Sequence, residues 1–152
     1  PSDRNILSDA ALLHDIGYHI NFDAHHKHSY HLIVHAELLG MTPAERVMVA
    51  NVARYHRGAD PKPEHKGYAG LDRDLRRRIK RLAAILRVAD GLDRGHAGAV
   101  EDIDVALTRS KLAIHAVPAG ASYDLRLELW GASRKSALLE QILGHPIEIA
   151  AA

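Results

Sequence analysis

An apolar helical run that ends in two metal-ligand side chains constrains this chain most: Leu12-Leu13-His14-Asp15-Ile16-Gly17. Ile6, Leu7, Ala10, Ala11 and His14 recur at helical spacing. That spacing predicts a helix over about residues 3–16, with His14 turned inward and Gly17 closing the helix. Asp15 then lies at a helix C-terminus, where the backbone dipole opposes a carboxylate and a nearby cation relieves it. Composition points the same way. Of twelve histidines, six (His14, His19, His25, His26, His28 and His31) fall within eighteen residues, a bias associated with metal binding. The absence of cysteine excludes disulfides and thiolate sites, and suits a reducing cytoplasm.

Other bulk properties narrow the field. Lys plus Arg number 20 against 19 Asp plus Glu, so bulk charge implies neither a nucleic-acid nor a membrane partner. No apolar run approaches the roughly 20 residues that span a bilayer. The chain opens at Pro1 and enters a helical pattern almost at once, as a piece of a longer protein would.

Further along, Ser29 is expected to cap a helix over about 30–39 that stops at Gly40. Thr42-Pro43-Ala44-Glu45 combines a capping box with proline at the first helical position. The helix it opens places Met48, Val52, Tyr55 and His56 along one face. Residues 59–70, with two prolines and two glycines, form a loop. A long helix over about 72–90 then lines up Ile79, Ala83, Leu86 and Asp90, and its Arg73–Arg81 stretch is a solvated basic face.

Composition changes after Gly98. Alternation predicts strands over about 103–108, 111–117 and 123–130, then a helix over 133–143 and a short strand over 146–149. The fold expected is mainly α: a helical domain over 1–98 and a small α+β unit over 99–152, in the order three strands, helix, strand.

His14, Asp15, His28, His56 and Asp90 each lie at or next to a predicted helix end. Mixed imidazole and carboxylate donors suit manganese, iron, zinc or magnesium, and such an ion can acidify water or neutralise phosphate oxygens. Lys27, Arg54, Arg57 and Arg87 stand beside these residues and are candidates to hold phosphate, which guanidinium groups grip in a planar fork.

Leu13-His14-Asp15-Ile16-Gly17 with the distant Asp90 resembles the HD superfamily of metal-dependent phosphohydrolases. His28 and His56 are similar to the extra histidines of its two-metal members. A longer set of blocks resembles the C-terminal region of the exopolyphosphatase and guanosine pentaphosphate phosphatase family. These are His14-Asp15-Ile16-Gly17-Tyr18, His26-Lys27-His28-Ser29-Tyr30, Arg54-Tyr55-His56-Arg57 and Leu86-Arg87-Val88-Ala89-Asp90-Gly91-Leu92-Asp93-Arg94. The resemblance implies an HD-like domain followed by a small α+β domain, working on polyphosphate or guanosine polyphosphates. It also implies a homodimer and N-terminal actin-like phosphatase domains that carry the family's hydrolytic chemistry. This chain shows none of the glycine-rich phosphate loops of those domains, and no histidine precedes His14. The expected role is therefore a binding and regulatory module. The alternatives are an HD hydrolase with its own metal, or a dimerisation module with a degenerate site.

Overall fold

The computed structural model describes residues 2–152 and divides them into two compact units, one reaching Leu86 and the other running from Arg87 to Ala152. Among these residues are six α-helices and one three-stranded sheet, so the protein is mainly α with a small α+β part. None of the helices is long and apolar enough to cross a membrane.

The first unit contains α1 (Asp3–Leu13), a 3-10 turn (Ile16–His19), α2 (His25–His35), α3 (Pro43–Arg54) and the first turns of α4 (Arg73–Leu92). Ser2 caps α1, its side chain accepting from the Asn5 amide at 3.3 Å. Ile6 and Ala10, four residues apart, are the buried side chains of α1. The capping box predicted for α3 is present: Thr42 Oγ1 accepts from the Glu45 amide at 3.3 Å, and Glu45 Oε2 accepts from the Thr42 amide at 2.5 Å. Met48, Val49, Val52 and Tyr55 carry α3 into a core shared with Ile6, Ile33, Ile79, Ala83 and Leu86. On α4 the apolar stripe is buried as expected. Of its basic residues, Arg77 pairs with Asp74 at 2.7 Å and Arg78 with Asp3 at 2.6 Å.

Helix α2 departs from expectation. It begins five residues before the predicted start, at His25, behind Ala24 in the left-handed conformation (φ 56°). Ser29 is therefore an interior helical residue and not a cap. It is fully buried, and its hydroxyl is engaged by the α1–α2 connection: Ser29 Oγ donates to the His14 carbonyl at 2.5 Å and accepts from the Gly17 amide at 2.9 Å. Gly17 is required here because a Cβ would lie 2.1 Å from the His25 carbonyl oxygen and 2.5 Å from the Ser29 nitrogen. The 3-10 turn thus lies directly on α2, backbone to backbone.

In the second unit β1 (Val100–Leu107) and β2 (Leu112–Pro118) form an antiparallel hairpin, and β3 (Ile147–Ala151) joins β2 in parallel. Between β2 and β3 run α5 (Arg126–Lys135) and α6 (Ala137–Leu143). The strand predicted over 123–130 is instead the start of α5, and the predicted helix over 133–143 is two helices meeting at Ser136. Leu125, Leu127 and Leu129 alternate as a strand would, yet Leu127 is half exposed. The side chains that are buried are Leu125, Glu128, Ala132 and Ser136, spaced three or four apart. A charged residue took a buried place in the helical period, and the strand reading had put it on the solvent side. Glu128 Oε1 accepts from the Gly95 amide at 3.2 Å, which satisfies its burial.

Candidate metal centre and phosphate cleft

The end of α1, the start of α2 and the end of α3 bring four side chains together, and backbone geometry sets each of the three imidazoles. His14 Nδ1 donates to the Ala11 carbonyl at 2.7 Å, His25 Nδ1 to the Phe22 carbonyl at 3.1 Å and His56 Nδ1 to the Ala53 carbonyl at 2.6 Å. In each case the acceptor lies three residues back, so a ring at or next to a helix end uses a carbonyl of its own turn. A proton committed at Nδ1 leaves the lone pair at Nε2, the tautomer that ligates metal through Nε2.

These Nε2 atoms gather around Asp15. His14 Nε2 is 3.4 Å from Asp15 Oδ2; His25 Nε2 and His56 Nε2 are 3.2 and 3.6 Å from Asp15 Oδ1. His25 and His56 are almost wholly buried, and Asp15 is about three-quarters buried. Ligand atoms of His14, Asp15 and His56 all lie within 4.8 Å of one another. Asp15 Oδ1 is buried yet accepts no hydrogen bond of acceptable geometry. With Nδ1 protonated on the rings, that oxygen faces lone pairs. Acceptors packed against acceptors are unfavourable until a proton or a cation lies between them. For bonds of about 2.0–2.1 Å to zinc, neighbouring ligands in tetrahedral or octahedral sets lie roughly 3.0–3.4 Å apart. The distances to the Asp15 oxygens, 3.2 to 3.6 Å, are close to that size, and the donor set is one that suits a divalent ion.

Beside the cluster is a cleft of about 300 Å3 lined by His26, Lys27, Arg54, Tyr55, Ala59 and His65. Arg54 is braced in place: Nη1 donates to the Lys66 carbonyl at 3.0 Å, and the guanidinium carbon lies 5.2 and 5.5 Å from the ring centres of Tyr30 and Tyr55. The Tyr55 hydroxyl is 2.9 Å from His65 Nδ1, and burial pushes its ionisation up to about 12. His26 is held down to about 4, first by burial and then by Arg57, His25, Lys27 and Arg54. It is a neutral imidazole in the wall of a basic cleft, with its Nδ1 buried and without a hydrogen-bond partner. Arg57 is exposed at the end of the same segment, with Nη1 3.3 Å from His25 Nδ1.

A family model described as "Ppx/GppA phosphatase, domain III" matches residues 1–131. The chain belongs to the Ppx/GppA phosphatase family. The similarity to whole proteins is more limited. The chain is 34% identical over 87 residues to a guanosine-5'-triphosphate,3'-diphosphate pyrophosphatase of Vibrio vulnificus, matching 57% of this chain and 18% of that protein. It is 34% identical over 88 residues to the protein of the same name from Pseudoalteromonas atlantica, covering 55% and 17%. The matched part spans less than a fifth of these relatives' length.

Within domain III, the residues singled out from sequence distribute unevenly. His14, Asp15 and His56 converge, and Lys27 and Arg54 share the cleft. His28 is half-buried on α2, three residues beyond His25, and is not one of the group formed by His14, Asp15 and His56. Asp90 and Arg87 belong to the second unit, where the Asp90 carboxylate pairs with Lys135. Sequence reasoning did not single out His25. Its signal was nevertheless present, since His25, Ser29 and Ile33 follow one another at a spacing of four and are the buried residues of α2.

Proposed function

We propose that this domain holds a phosphate-rich substrate, polyphosphate or a guanosine polyphosphate, for hydrolysis by a parent enzyme of the Ppx/GppA type. The observation that carries the reading is the basic cleft, where Lys27 and a braced Arg54 face open space of about 300 Å3. Arg54 has little freedom left to lose on meeting a phosphate, because its guanidinium is already held by the Lys66 carbonyl and two tyrosine rings. Pre-organised guanidinium forks make strong, charge-assisted bonds to phosphate oxygens. In this reading N-terminal actin-like domains carry out phosphoanhydride hydrolysis, and two copies of the chain assemble as a cytoplasmic homodimer. The names of the relatives favour a guanosine polyphosphate. Binding of polyphosphate and of guanosine pentaphosphate to the chain, followed by fluorescence anisotropy at moderate salt, tests the cleft. Arg54→Ala with Arg57→Ala should weaken binding at least tenfold, and unchanged affinity overturns the reading.

The imidazole and carboxylate cluster supports a second reading, in which the domain has a metal-dependent activity of its own. His14, Asp15 and His56 would hold a divalent ion such as manganese, iron, zinc or magnesium, and a bound ion supplies electrophilic stabilisation and acidified water. The chain's part is to orient three imidazoles by backbone carbonyls and to bury an acceptor-rich carboxylate against them. Metal analysis of the purified chain decides it: one equivalent of metal, lost in His14→Ala, supports this reading, and no metal with no metal-dependent hydrolysis removes it.

A further inference from the structure

We propose that β1 is the edge through which two copies of this chain pair, antiparallel about Val105, so that their sheets merge into one. The inference rests on the homodimer of the reading above and assigns that homodimer a surface.

The sheet runs β1-β2-β3, so β1 is an edge strand, and every residue from Glu101 to Leu107 is exposed. Residues opposite one another in a ladder share a face, and Ile103, Val105 and Leu107 lie opposite Ala116, Ile114 and Leu112. The three on β2 are buried, whereas Ile103, Val105 and Leu107 are 44, 56 and 63% exposed. Helix α5 packs on β3, at the far edge of the sheet. The apolar face of the sheet thus continues onto β1 and emerges into solvent there. Edges that face water are commonly blunted by lysine or proline. β1 contains neither, and its Asp102 and Asp104 alternate with the apolar residues, on the other face.

The backbone points the same way. Across the turn the Thr108 amide donates to the Lys111 carbonyl at 2.9 Å. Antiparallel pairing alternates, so Ala106 and Asp104 direct their amides and carbonyls at β2, and Leu107, Val105 and Ile103 direct theirs outward. The Ile103 amide is met only by its own neighbour in the chain, Asp102 Oδ1 accepting from it at 2.8 Å.

Register selects a second copy as the occupant. With a two-fold axis at Val105, Val105 pairs with itself and Ile103 with Leu107, so the outward residues bond one another and their side chains meet on one apolar face. Asp104 then faces Ala106, Asp102 faces Thr108, and Glu101 comes opposite Arg109 on both sides of the axis. Neighbouring registers are worse. An axis at Asp104 sets Asp104 against itself, one at Ile103 sets Asp102 against Asp104, and one at Ala106 leaves Ile103 against Arg109. Like charges directly opposite are destabilising, and opposite charges favourable.

Sedimentation equilibrium of the full 152-residue chain should show a monomer and dimer exchanging with concentration. Val105→Pro removes an outward amide while sparing those that bond β2, and should weaken the dimer roughly tenfold or more. Val105→Lys, which sets two like charges at the axis, serves if the proline variant does not fold. Glu101→Arg should weaken the dimer too, and adding Arg109→Glu should restore it, a rescue specific to this register. Because the chain has no cysteine, cross-linking gives a direct reading. At the axis two Cα atoms lie about 5.5 Å apart, within the roughly 4.4–6.8 Å that a disulfide spans. Mild oxidation should therefore join two chains of Val105→Cys. It should not join Glu101→Cys, whose two copies lie more than about 20 Å apart along the strands. A dimer as strong in Val105→Pro and Val105→Lys as in wild type, or one that Val105→Cys does not cross-link, overturns the role of β1 and leaves the homodimer standing. A wild-type chain that is monomeric at every concentration removes both.

Discussion

The Gly17 amide donates to Ser29 Oγ at 2.9 Å, and the same hydroxyl donates to the His14 carbonyl at 2.5 Å. One buried serine therefore ties the His-Asp pair to the helix that carries His25. Gly17→Ala would drive a methyl group into backbone atoms of α2, which cannot give way as a flexible side chain can. The expected loss is about 3 kcal/mol, measured by urea unfolding. Ser29→Ala leaves the Gly17 amide buried without an acceptor and should lose about 1–3 kcal/mol. A near-neutral Gly17→Ala would mean that the 3-10 turn can lift away from α2.

Tyr55 should ionise late. Burial raises its phenol to about 12, and Tyr68 is raised by burial as well. A folded-state value above the unfolded one, near 10, gives stability that is complete below about pH 10. That stability is lost as pH rises toward the folded value. Ultraviolet titration should show late-ionising tyrosine, and Tyr55→Phe should remove part of that late absorbance. It also removes the hydrogen bond to His65, a loss of about 1 kcal/mol.

The capping box of α3 gives a pH-dependent prediction of opposite sign. Hydrogen bonds from the Thr42 side chain and backbone hold the Glu45 carboxyl below its ordinary range. A depressed carboxylate stabilises the fold above its unfolded value, and that contribution fades as pH falls through the folded value. Thr42→Ala should lower stability at neutral pH by about 1 kcal/mol. The gap between wild type and Glu45→Gln should close on acidification, followed by thermal melts between neutral pH and about pH 3. A gap independent of pH would place the cap's contribution elsewhere.

Metal should stabilise the folded chain by mass action. At a free ion concentration of about 100 times Kd, an ion that binds the folded form alone adds about 2.7 kcal/mol. Zinc or manganese should raise Tm, chelator should reverse the rise, and the rise should fade in acid, because imidazole must be neutral to ligate. In His56→Ala, the metal-dependent rise should vanish whatever happens to the base stability.

Much of the helical unit was readable from residue spacing. The Thr42 capping box and the Ile79, Ala83, Leu86 stripe each carry a local signal and lie where it puts them, as do Ile6 and Ala10 of the first run, whereas Ala11 is exposed. The start of α2 had no such signal: Ala24 has no capping side chain, and its backbone takes the left-handed conformation. Ser29 looked like a cap because its hydroxyl suits one, but tertiary contact claimed it first. In α5, alternating leucines imitated a strand, and the decisive residue was Glu128, whose burial depends on the Gly95 amide. His14, Asp15 and His56 could be singled out because each ends a periodic helical run. His25 was passed over because it begins a helix and lies among neighbours of the same type, although its spacing of four with Ser29 and Ile33 marks it as buried.

The three carbonyls that hold the imidazoles, those of Ala11, Phe22 and Ala53, have a consequence for how ligand entry would proceed. Ring order here is a product of folding. On the metal-binding reading proposed above, these rings would need no reordering to take an ion, unlike those of a zinc finger, whose chain folds around its metal.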